Sequence, residues 1–246
     1  MSKNKILILQ TDINHGTQWG DDTIMNFLRE YCIPSVKKYA LKNDYDYLLI
    51  KDSIYEDEIG KFDFLPTKLK HYAFERYYHL SNDYDSTVYL DNDIYIFDEA
   101  IPLPQINCLM CALEPDGNSS NIFRQVNNLS HDYPYYNSGV IMGDNKSLSH
   151  LANYMLHRMK NYIRAKGKNT DNMMLNEYLL EHNYNFSKLD NHWNYMPFLP
   201  NSPKLNNVNF FHFVGIHGKK LIAYILKNKF EVNHFLKNAT FEFKKK

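Results

Sequence analysis

Short apolar runs alternate with longer amphipathic stretches in the first half of the chain. Three runs of four residues or fewer, bounded by polar residues, predict buried strands. These runs are Ile6 to Leu9, Tyr47 to Ile50 and Val88 to Leu90. A helix capped by Asp21 or Asp22 is predicted to run to about Asn43. Pro34 is expected to kink this helix, and a second helix is predicted to begin at Pro66. Strands that alternate with helices in this way pair in parallel through right-handed crossovers.

The second half of the chain shows the same elements in a less regular order. Further strands are predicted at residues 94–97, 108–113, 135–142 and 208–213, and a strand followed by a loop at 186–195. Helices are predicted at residues 148–165, 171–180 and 221–236. The polar segment 115–130 is expected to be a loop over a site. Because the sequence shows no repeat and no linker, the pattern predicts one α/β domain of residues 1–246, with a mixed sheet flanked by helices.

Two carboxylates one residue apart follow the strand that ends at Leu90. Side chains in an extended chain repeat every second residue, so Asp91 and Asp93 point the same way while Asn92 points to the other side. Such carboxylates repel each other unless a cation lies between them. Oxygen ligands suit Mg²⁺ or Mn²⁺, bound together with a phosphate-bearing substrate. A solvated Asp-Asn-Asp turn is the alternative interpretation.

Polar residues also end the first strand, at Gln10, Thr11 and Asp12. Open α/β sheets bind ligands beyond the carboxyl ends of their strands, so this edge is a candidate binding site. Ordinary turn chemistry is the alternative. The sequence contains no G-x-G-x-x-G motif and no P-loop, so a glycine cradle for phosphates is not expected.

Composition narrows the function classes further. The chain has 28 basic and 28 acidic residues and a net charge of +0, which argues against a nucleic-acid binder that works by bulk charge. The three cysteines, including Cys108-x-x-Cys111, are expected to be buried apolar thiols rather than a redox or zinc pair. No signal-peptide core is visible, and no apolar run approaches the roughly 20 residues of a membrane span. We therefore expect a cytoplasmic protein without a transmembrane segment, in which the basic tail Lys244 to Lys246 allows peripheral membrane contact.

Five separated stretches resemble, in order, motifs of the retaining glycosyltransferases of family eight, which include glycogenin and bacterial lipopolysaccharide galactosyl- and glucosyltransferases. The stretches are Thr67-Lys68-Leu69, Leu90-Asp91-Asn92-Asp93, Tyr136-Asn137-Ser138-Gly139-Val140, Asp171-Asn172 with Leu175-Asn176, and His212-Phe213-Val214-Gly215. The stretch that begins at Leu90 resembles the family's D-x-D motif, and the one that begins at His212 resembles the start of H-x-x-G-x-x-K. The resemblance spans Gln10 to about Lys219. It implies the GT-A fold, with a Rossmann-like nucleotide-binding half at about 1–100 and an acceptor half at about 101–246.

The resemblance also implies an activity and its residues. The implied reaction is a Mn²⁺- or Mg²⁺-dependent transfer of a hexose, with retention, from UDP-glucose or UDP-galactose to a glycan or glycolipid. Asp91, Asp93 and His212 are the implied metal ligands, and His217 competes for the third place. Asp171, Asn172 and Lys68 are the implied catalytic residues, and no enzymatic nucleophile is implied. The implied donor-binding residues are Thr11, Asp12, Asn14, Lys68, Asn92, Asn137, Ser138, Gly215, Gly218 and Lys219.

The sequence departs from the family pattern in places, which leaves alternatives open. Gly218 stands where the family has lysine, Lys219 follows one position late, and Asn172 stands where the family has glutamine. The early helix and the strand around Tyr45-Asp46-Tyr47 resemble other GT-A galactosyl- or mannosyltransferases. One alternative is therefore a GT-A enzyme that uses GDP-mannose or inverts configuration. Another is a catalytically silent sugar-binding protein of this fold. A nucleotidyltransferase is a remote alternative, because its glycine-rich basic loop is missing.

Overall fold

A computed structural model describes residues 5–13, 22–53, 72–80, 83–115, 118–161, 171–182, 186–199, 202 and 206–239. Several predicted features lie outside these ranges. They are the candidate donor-binding residues Asn14 and Lys68, the helix start at Pro66 and the basic tail 244–246.

The strands form a six-stranded sheet and a two-stranded ribbon. They are β1 Ile6–Thr11, β2 Asp46–Ile50, β3 Ser86–Leu90, β4 Ile94–Ile96, β5 Leu109–Leu113, β6 Tyr136–Asp144, β7 Phe186–Leu189 and β8 Phe210–His212. The sheet has the order β2-β1-β3-β6-β5-β7, and β4 pairs with β8 in the antiparallel ribbon. β1 pairs in parallel with β2 and β3, which confirms the prediction from the strand–helix alternation. β6 is antiparallel to both of its neighbours, so the sheet is mixed as predicted.

Helices cover both faces of the sheet. They are α1 Asp22–Phe27, α2 Ile33–Lys42, α3 Asn118–Val126, α4 Asn145–Asn161, α5 Asp171–Glu181, α6 Gly215–Asn228 and α7 Val232–Asn238, with short 3₁₀ helices at Tyr72–Tyr78 and Asn191–Trp193. The alternation of side chains along β1 sends Leu9 to a core that contains Met155 of α4 and Leu175 of α5. Ile8 points to the other face, into a core that contains Val36 of α2. None of the helices in the described ranges has an apolar stretch long enough to cross a bilayer.

A widened helical turn precedes Pro34, at the place where the sequence predicts a kink. A π-helical turn, Leu28–Cys32, joins α1 to α2, and the Ile33 N–H donates to the Leu28 carbonyl. Proline has no N–H to donate to the preceding turn, so the backbone rearranges where Pro34 enters the helix. Ser35, in the next turn, accepts a 2.9 Å hydrogen bond from the Ile96 N–H and so ties this helix to β4.

Two predictions about the second half were wrong. The segment 115–130 is not a loop throughout, because α3 forms there and Phe123 packs against Tyr135 and Met173. The predicted helix at 221–236 is in fact two helices, and the first already begins at Gly215. Lys229 has a left-handed backbone (φ 55°) that ends α6, and the Glu231 side chain then caps α7.

Candidate active site

The acidic doublet lies in a tight connection between β3 and β4. The Asp91 N–H donates to the Gly139 carbonyl of β6 (2.9 Å), and the Ile94 N–H donates back to the Asp91 carbonyl (3.3 Å). Gln10, which is fully buried, donates from Nε2 to the same Asp91 carbonyl (3.1 Å). These contacts hold the backbone of the doublet at the carboxyl end of a strand in which every residue is buried.

Strand register brings His212 to this doublet. In the antiparallel ribbon, Ile94 lies opposite His212, and the Phe213 N–H donates to the Asp93 carbonyl (3.0 Å). The His212 Nε2 atom is 3.1 Å from Asp93 Oδ1. One ligating atom from each of Asp91, Asp93 and His212 lies within 4.8 Å of the others. The structure therefore brings together the three residues that the sequence singles out as metal ligands.

Gly139 makes room for the imidazole. A Cβ atom at this position would come within 2.3 Å of His212 Cε1 and 2.9 Å of His212 Nδ1. The space that a side chain at Gly139 would fill is therefore taken by a side chain of the protein itself. This packing fixes the plane of the His212 ring against the sheet.

The site concentrates negative charge. Burial raises the pKa of Asp91 to about 6, and Asp93 and Asp171 add to the rise, whereas Arg76 opposes it. Burial lowers the pKa of His212, but Asp93, together with Asp91, outweighs it and raises that pKa above its usual value. Burial also raises the pKa of Glu114. A cation placed among these groups would relieve the repulsion between the carboxylates.

Arg76 connects the doublet to a third carboxylate. Its side chain is 2% exposed, and the guanidinium donates from Nη1 to Asp91 Oδ1 (3.1 Å) and from Nη2 to Asp171 Oδ2 (2.7 Å). Nη1 also reaches the Ser138 carbonyl (3.2 Å), and the Ser138 hydroxyl donates to the same Asp171 oxygen (2.7 Å). Asp171 is the first residue of α5, where the helix dipole favours a carboxylate. Its side chain is thus held in one orientation from two sides.

Amide side chains and a carboxylate extend this network. Glu114, which follows β5 directly, accepts at Oε2 from Asn137 Nδ2 (3.0 Å) and Asn172 Nδ2 (2.9 Å). Asn172 in turn accepts from the Ser138 N–H (2.6 Å). The fully buried Asn194 donates to Asn137 Oδ1 (2.9 Å) and faces His212 Nδ1 at 2.9 Å. The predicted residues Asn137, Ser138, Asp171 and Asn172 therefore belong to one continuous network with the metal-ligand candidates.

The arrangement fits a divalent cation. Two carboxylates and an imidazole are suitable ligands for Mn²⁺. Among the residues that the structure describes, Asp93 Oδ1 is buried and has no hydrogen-bond partner, although it lies 3.1 Å from His212 Nε2. An orphaned carboxylate oxygen that faces an imidazole nitrogen is costly unless another group satisfies it, and a bound cation would do so.

Four of the predicted donor-binding residues lie at two places in the structure. Thr11 ends β1, and the buried Asp12 follows it and accepts from Arg29 Nε (2.9 Å). Asn92 and Lys219 line one small cavity together with Asp93, which brings both next to the metal-ligand candidates. A separate cavity of about 1190 Å³ is lined by Trp193, Tyr195 and Phe211 among others, and none of the predicted site residues within the described ranges lines it.

The two predicted glycines do not form a loop. Gly215 is exposed with φ +60° and starts α6, and Gly218 lies within that helix, where its N–H donates to the Val214 carbonyl (3.2 Å). A Cβ atom at Gly218 would come within 2.0 Å of the Phe213 carbonyl oxygen. Gly218 thus permits close packing of α6 on the preceding strand end. His217 is exposed on α6 and is not part of the three-residue metal group.

Three residues of this site had no role in the sequence analysis. Arg76 has a signal in the sequence, because it follows Ala73 by three residues and precedes Leu80 by four, on the apolar side of the predicted helix. Glu114 has a weaker signal as a carboxylate that directly follows a strand. Asn194 lies in the segment Leu189 to Pro197, which resembles the family's segment before the last motif, but no local pattern there predicts burial of its side chain.

Solved structures share this fold. One is a glycosyltransferase involved in the glycosylation of the major capsid of PBCV-1, which is 13% identical over 91% of this chain and 99% of that chain, with a TM-score of 0.54. Another is the galactosyltransferase LgtC in complex with donor and acceptor sugar analogs, 14% identical over 89% of this chain and 95% of that chain, with a TM-score of 0.50. An active-site mutant of LgtC is 11% identical over 95% of this chain and 99% of that chain, with a TM-score of 0.51.

These similarities confirm the fold that the sequence motifs predicted. The chain has the mixed α/β architecture of the GT-A glycosyltransferases, and it resembles a family-eight galactosyltransferase in structure. No protein-family model matches the sequence, and no curated protein matches it significantly. At 11–14% identity the likeness shows the fold alone.

Proposed function

We propose that the protein is a metal-dependent glycosyltransferase. It transfers a hexose, with retention of configuration, from a nucleotide sugar such as UDP-glucose or UDP-galactose to a glycan or glycolipid acceptor. The observation that carries the proposal is the convergence of Asp91, Asp93 and His212, whose ligating atoms lie within 4.8 Å of one another at a strand end. The GT-A fold supports it, and one protein of similar structure is a galactosyltransferase seen with donor and acceptor sugar analogs.

The reaction breaks the bond between the anomeric carbon and a diphosphate oxygen. Mn²⁺ or Mg²⁺ held by Asp91, Asp93 and His212 would supply Lewis-acid stabilisation of the departing diphosphate, worth several kcal/mol. Lys219 supports the same charge neutralisation, because it lines a cavity with Asn92 and Asp93. Lys68 has this role by sequence resemblance alone, since it lies outside the described residues.

The sugar is proposed to bind beside Asp171 and Asn172. Sugar hydroxyls both donate and accept hydrogen bonds, so a carboxylate and an amide suit them. The Asp171 side chain is 13% exposed, and Arg76 and Ser138 hold it in place. Asn137 and Ser138 are 2–3% exposed and support these groups from behind. Thr11 and Asp12 are proposed to contact the base and ribose.

The proposal places the reaction between two halves of one domain. Asp91 and Asp93 belong to the nucleotide half at about 1–100, whereas Asp171 and His212 belong to the acceptor half at about 101–246. Arg76, which pairs with Asp91 inside the nucleotide half, joins the two halves through its ion pair with Asp171. Donor binding and metal binding are therefore expected to depend on both.

A panel of nucleotide sugars tests the proposal. Purified protein is incubated with UDP-glucose, UDP-galactose or GDP-mannose, with Mn²⁺ or with a chelator, and NMR follows hydrolysis and the anomer released. We expect slow hydrolysis of a UDP-hexose that requires Mn²⁺ and retains configuration. The double variant Asp91→Asn/Asp93→Asn should be inactive, and Asp98→Asn, which changes an exposed carboxylate in the ion pair with Lys38, should retain activity.

The same panel separates the alternatives. Turnover of GDP-mannose, or an inverted product, would assign the protein to a different GT-A activity. If no nucleotide sugar is hydrolysed, and saturation binding of the same nucleotide sugars with Mn²⁺ present also shows none bound, the enzymatic proposal is removed and a sugar-binding or scaffold protein of this fold is left.

A further inference from the structure

Two buried amide side chains connect a backbone N–H of β6 to the imidazole of His212. Asn137 and Asn194 are 2% and 0% exposed. Asn137 Oδ1 accepts from the Gly139 N–H (2.8 Å) and from Asn194 Nδ2 (2.9 Å). Asn194 Oδ1 lies 2.9 Å from His212 Nδ1. Each member of this series has one polar atom directed at the next.

The Gly139 N–H determines how the side-chain amides of Asn137 and Asn194 are oriented, and through them where the proton of His212 lies. The Gly139 N–H can only donate, so the Asn137 atom that faces it is the oxygen. The Asn194 atom against that oxygen must then be the NH₂ group, and the Asn194 oxygen faces the imidazole. A carbonyl oxygen only accepts, so the proton lies on His212 Nδ1. The contact of Asn137 Nδ2 with Glu114 Oε2 (3.0 Å) agrees with this orientation at the opposite end of the amide.

We infer that Asn194 is a positioning residue that holds His212 in the Nδ1–H form and keeps the Nε2 lone pair available for the cation. The hydrogen bond of one ring nitrogen decides which nitrogen can bind a metal. This inference rests on the proposed function for the identity of the cation, but the proton position itself does not depend on it.

Asp93 supplies the competing arrangement. Its Oδ1 atom lies 3.1 Å from His212 Nε2, so a neutral imidazole without Asn194 gains by carrying its proton on Nε2 and donating it to this carboxylate. That hydrogen bond would engage both the imidazole Nε2 and a carboxylate oxygen of Asp93, two atoms that could otherwise bind the cation. Asn194 therefore decides whether His212 Nε2 is free to bind a cation or instead donates a hydrogen bond to Asp93.

The backbone around Asn194 is fixed on the strand that carries His212. The Tyr195 N–H donates to the Phe210 carbonyl (2.9 Å), and the His212 N–H donates to the Tyr195 carbonyl (2.9 Å). The Asn194 N–H donates to the Asn191 carbonyl (3.2 Å). The amide of Asn194 is thus held beside the ring by main-chain hydrogen bonds on both sides.

The test measures the proton on the ring directly. The full chain is labelled with ¹⁵N-histidine, freed of metal with a chelator and studied by long-range ¹H–¹⁵N NMR at about pH 9, above the ordinary imidazole pKa of about 6.5. The signal that disappears in His212→Gln belongs to His212. We expect a protonated Nδ1 and an unprotonated Nε2 in the wild type. Asn194→Ala should move the proton to Nε2 and weaken Mn²⁺ binding by roughly 10- to 100-fold.

Two further variants separate this role from a general loss of packing. Asn194→Asp keeps an acceptor toward Nδ1, so it should retain the Nδ1–H form. Asn209→Ala removes another buried amide, which accepts from the Ile101 N–H (3.2 Å), and should change neither the ring proton nor Mn²⁺ affinity. Mn²⁺ affinity is measured from the electron paramagnetic resonance signal of the unbound ion.

The outcomes are distinct. A wild-type His212 protonated on Nε2, or an unchanged ring proton in Asn194→Ala, overturns the inference. The wild-type spectrum needs His212→Gln for its assignment but no change at Asn194, so the first outcome is decisive even where removal of the Asn194 amide prevents folding. If the ring proton depends on Asn194 but no nucleotide sugar binds, the positioning role stands and the proposed function fails. If donor hydrolysis occurs without this dependence, only the positioning role fails.

Discussion

Among the described residues of the site, Arg76 is the only arginine whose guanidinium lies between two carboxylates. Burial of a charge is costly unless partners compensate it. Asp91 and Asp171 are these partners, at 3.1 and 2.7 Å. The dependence is mutual, because either carboxylate would lose its counter-charge without the arginine. Arg76 therefore links the orientation of a metal-ligand candidate to that of a candidate sugar-binding residue.

Replacement of Arg76 should be strongly destabilising. Arg76→Gln leaves two carboxylates without their counter-charge, and we expect a loss of about 3–5 kcal/mol in the free energy of unfolding. The matched control is Arg158→Gln, since Arg158 is 37% exposed and its ion pair with Glu177 (3.2 Å) should contribute less than about 1 kcal/mol. Urea unfolding of both variants measures the difference. Equal losses in the two variants would contradict the role given to Arg76.

Asp91 should give the metal-free protein a pH-dependent stability. Burial raises its pKa from 3.8 to about 6. Between these values the folded protein holds a proton that the unfolded chain has released, so this group's contribution to stability falls as pH rises. The wild-type free energy of unfolding, minus that of Asp91→Asn, should therefore decrease between about pH 4 and pH 7. Urea titrations in chelator measure it, and a difference that rises with pH would show that Arg76 dominates.

Strand β6 contributes both main-chain and side-chain groups to the site. Its residues Asn137 to Gly139 contribute an amide, a hydroxyl, two carbonyls and a close approach for the His212 ring. The strand is antiparallel to β3, so Gly139 accepts from the Asp91 N–H while its missing side chain admits the imidazole. One strand thus aligns the doublet and the histidine.

Alanine substitutions at two glycines of this strand should distinguish an effect on metal binding from an effect on stability. Gly139→Ala places a Cβ atom 2.3 Å from His212 Cε1, so the ring must move and Mn²⁺ affinity should fall at least roughly tenfold. Gly143→Ala is the control in the same strand, because its Cβ atom would meet the Leu148 side chain at 2.7 Å instead. Both variants should lose stability, but only the first should lose Mn²⁺ binding in a titration. Normal Mn²⁺ affinity in Gly139→Ala would argue against His212 as a ligand.

Across the molecule, the candidate metal ligands come from strands that are far apart in sequence. A cation that binds Asp91, Asp93 and His212 would join the β3–β4 connection to β8 in the folded state alone. Binding to the folded state raises the free energy of unfolding in proportion to the logarithm of ligand concentration. The metal is therefore expected to stabilise the fold in addition to acting as a Lewis acid in the proposed reaction.

Bound Mn²⁺ should therefore stabilise the whole protein against unfolding. Mn²⁺ at about 100 times its dissociation constant should raise the free energy of unfolding by about 2.7 kcal/mol, and a chelator should reverse the gain. Asp91→Asn/Asp93→Asn should show no gain, while Asp98→Asn should show the full gain. Urea unfolding with and without Mn²⁺ checks all three proteins. An equal gain in the double variant would place the cation elsewhere.

The single-domain organisation and the cytoplasmic location remain predictions.

Local patterns in the sequence were sufficient for the elements that carry the doublet. A strand has a period of two, so Asp91 and Asp93 were expected on the same side of the chain, and the apolar runs on either side were expected to bury it. The strand–helix alternation was sufficient for the parallel order of β1, β2 and β3. These features depend on neighbours in sequence, which is why they were predictable. Helix α3 and the start of α6 were not, because they depend on the tertiary packing of Phe123 and Gly218.

Only the tertiary structure decided how the site is assembled. Arg76 meets Asp171 across 95 positions of sequence, and Asn137 meets Asn194 across 57. Such contacts depend on strand order and on register, since a shift of one residue in the β4–β8 ribbon would turn His212 away from Asp93. Burial then gives an arginine or an asparagine its function by removing water as an alternative partner. The spacing of residues in the sequence does not show which side chains are shielded from water. The hydrogen bonds through Asn137 and Asn194 that orient His212 are therefore visible only in the folded chain.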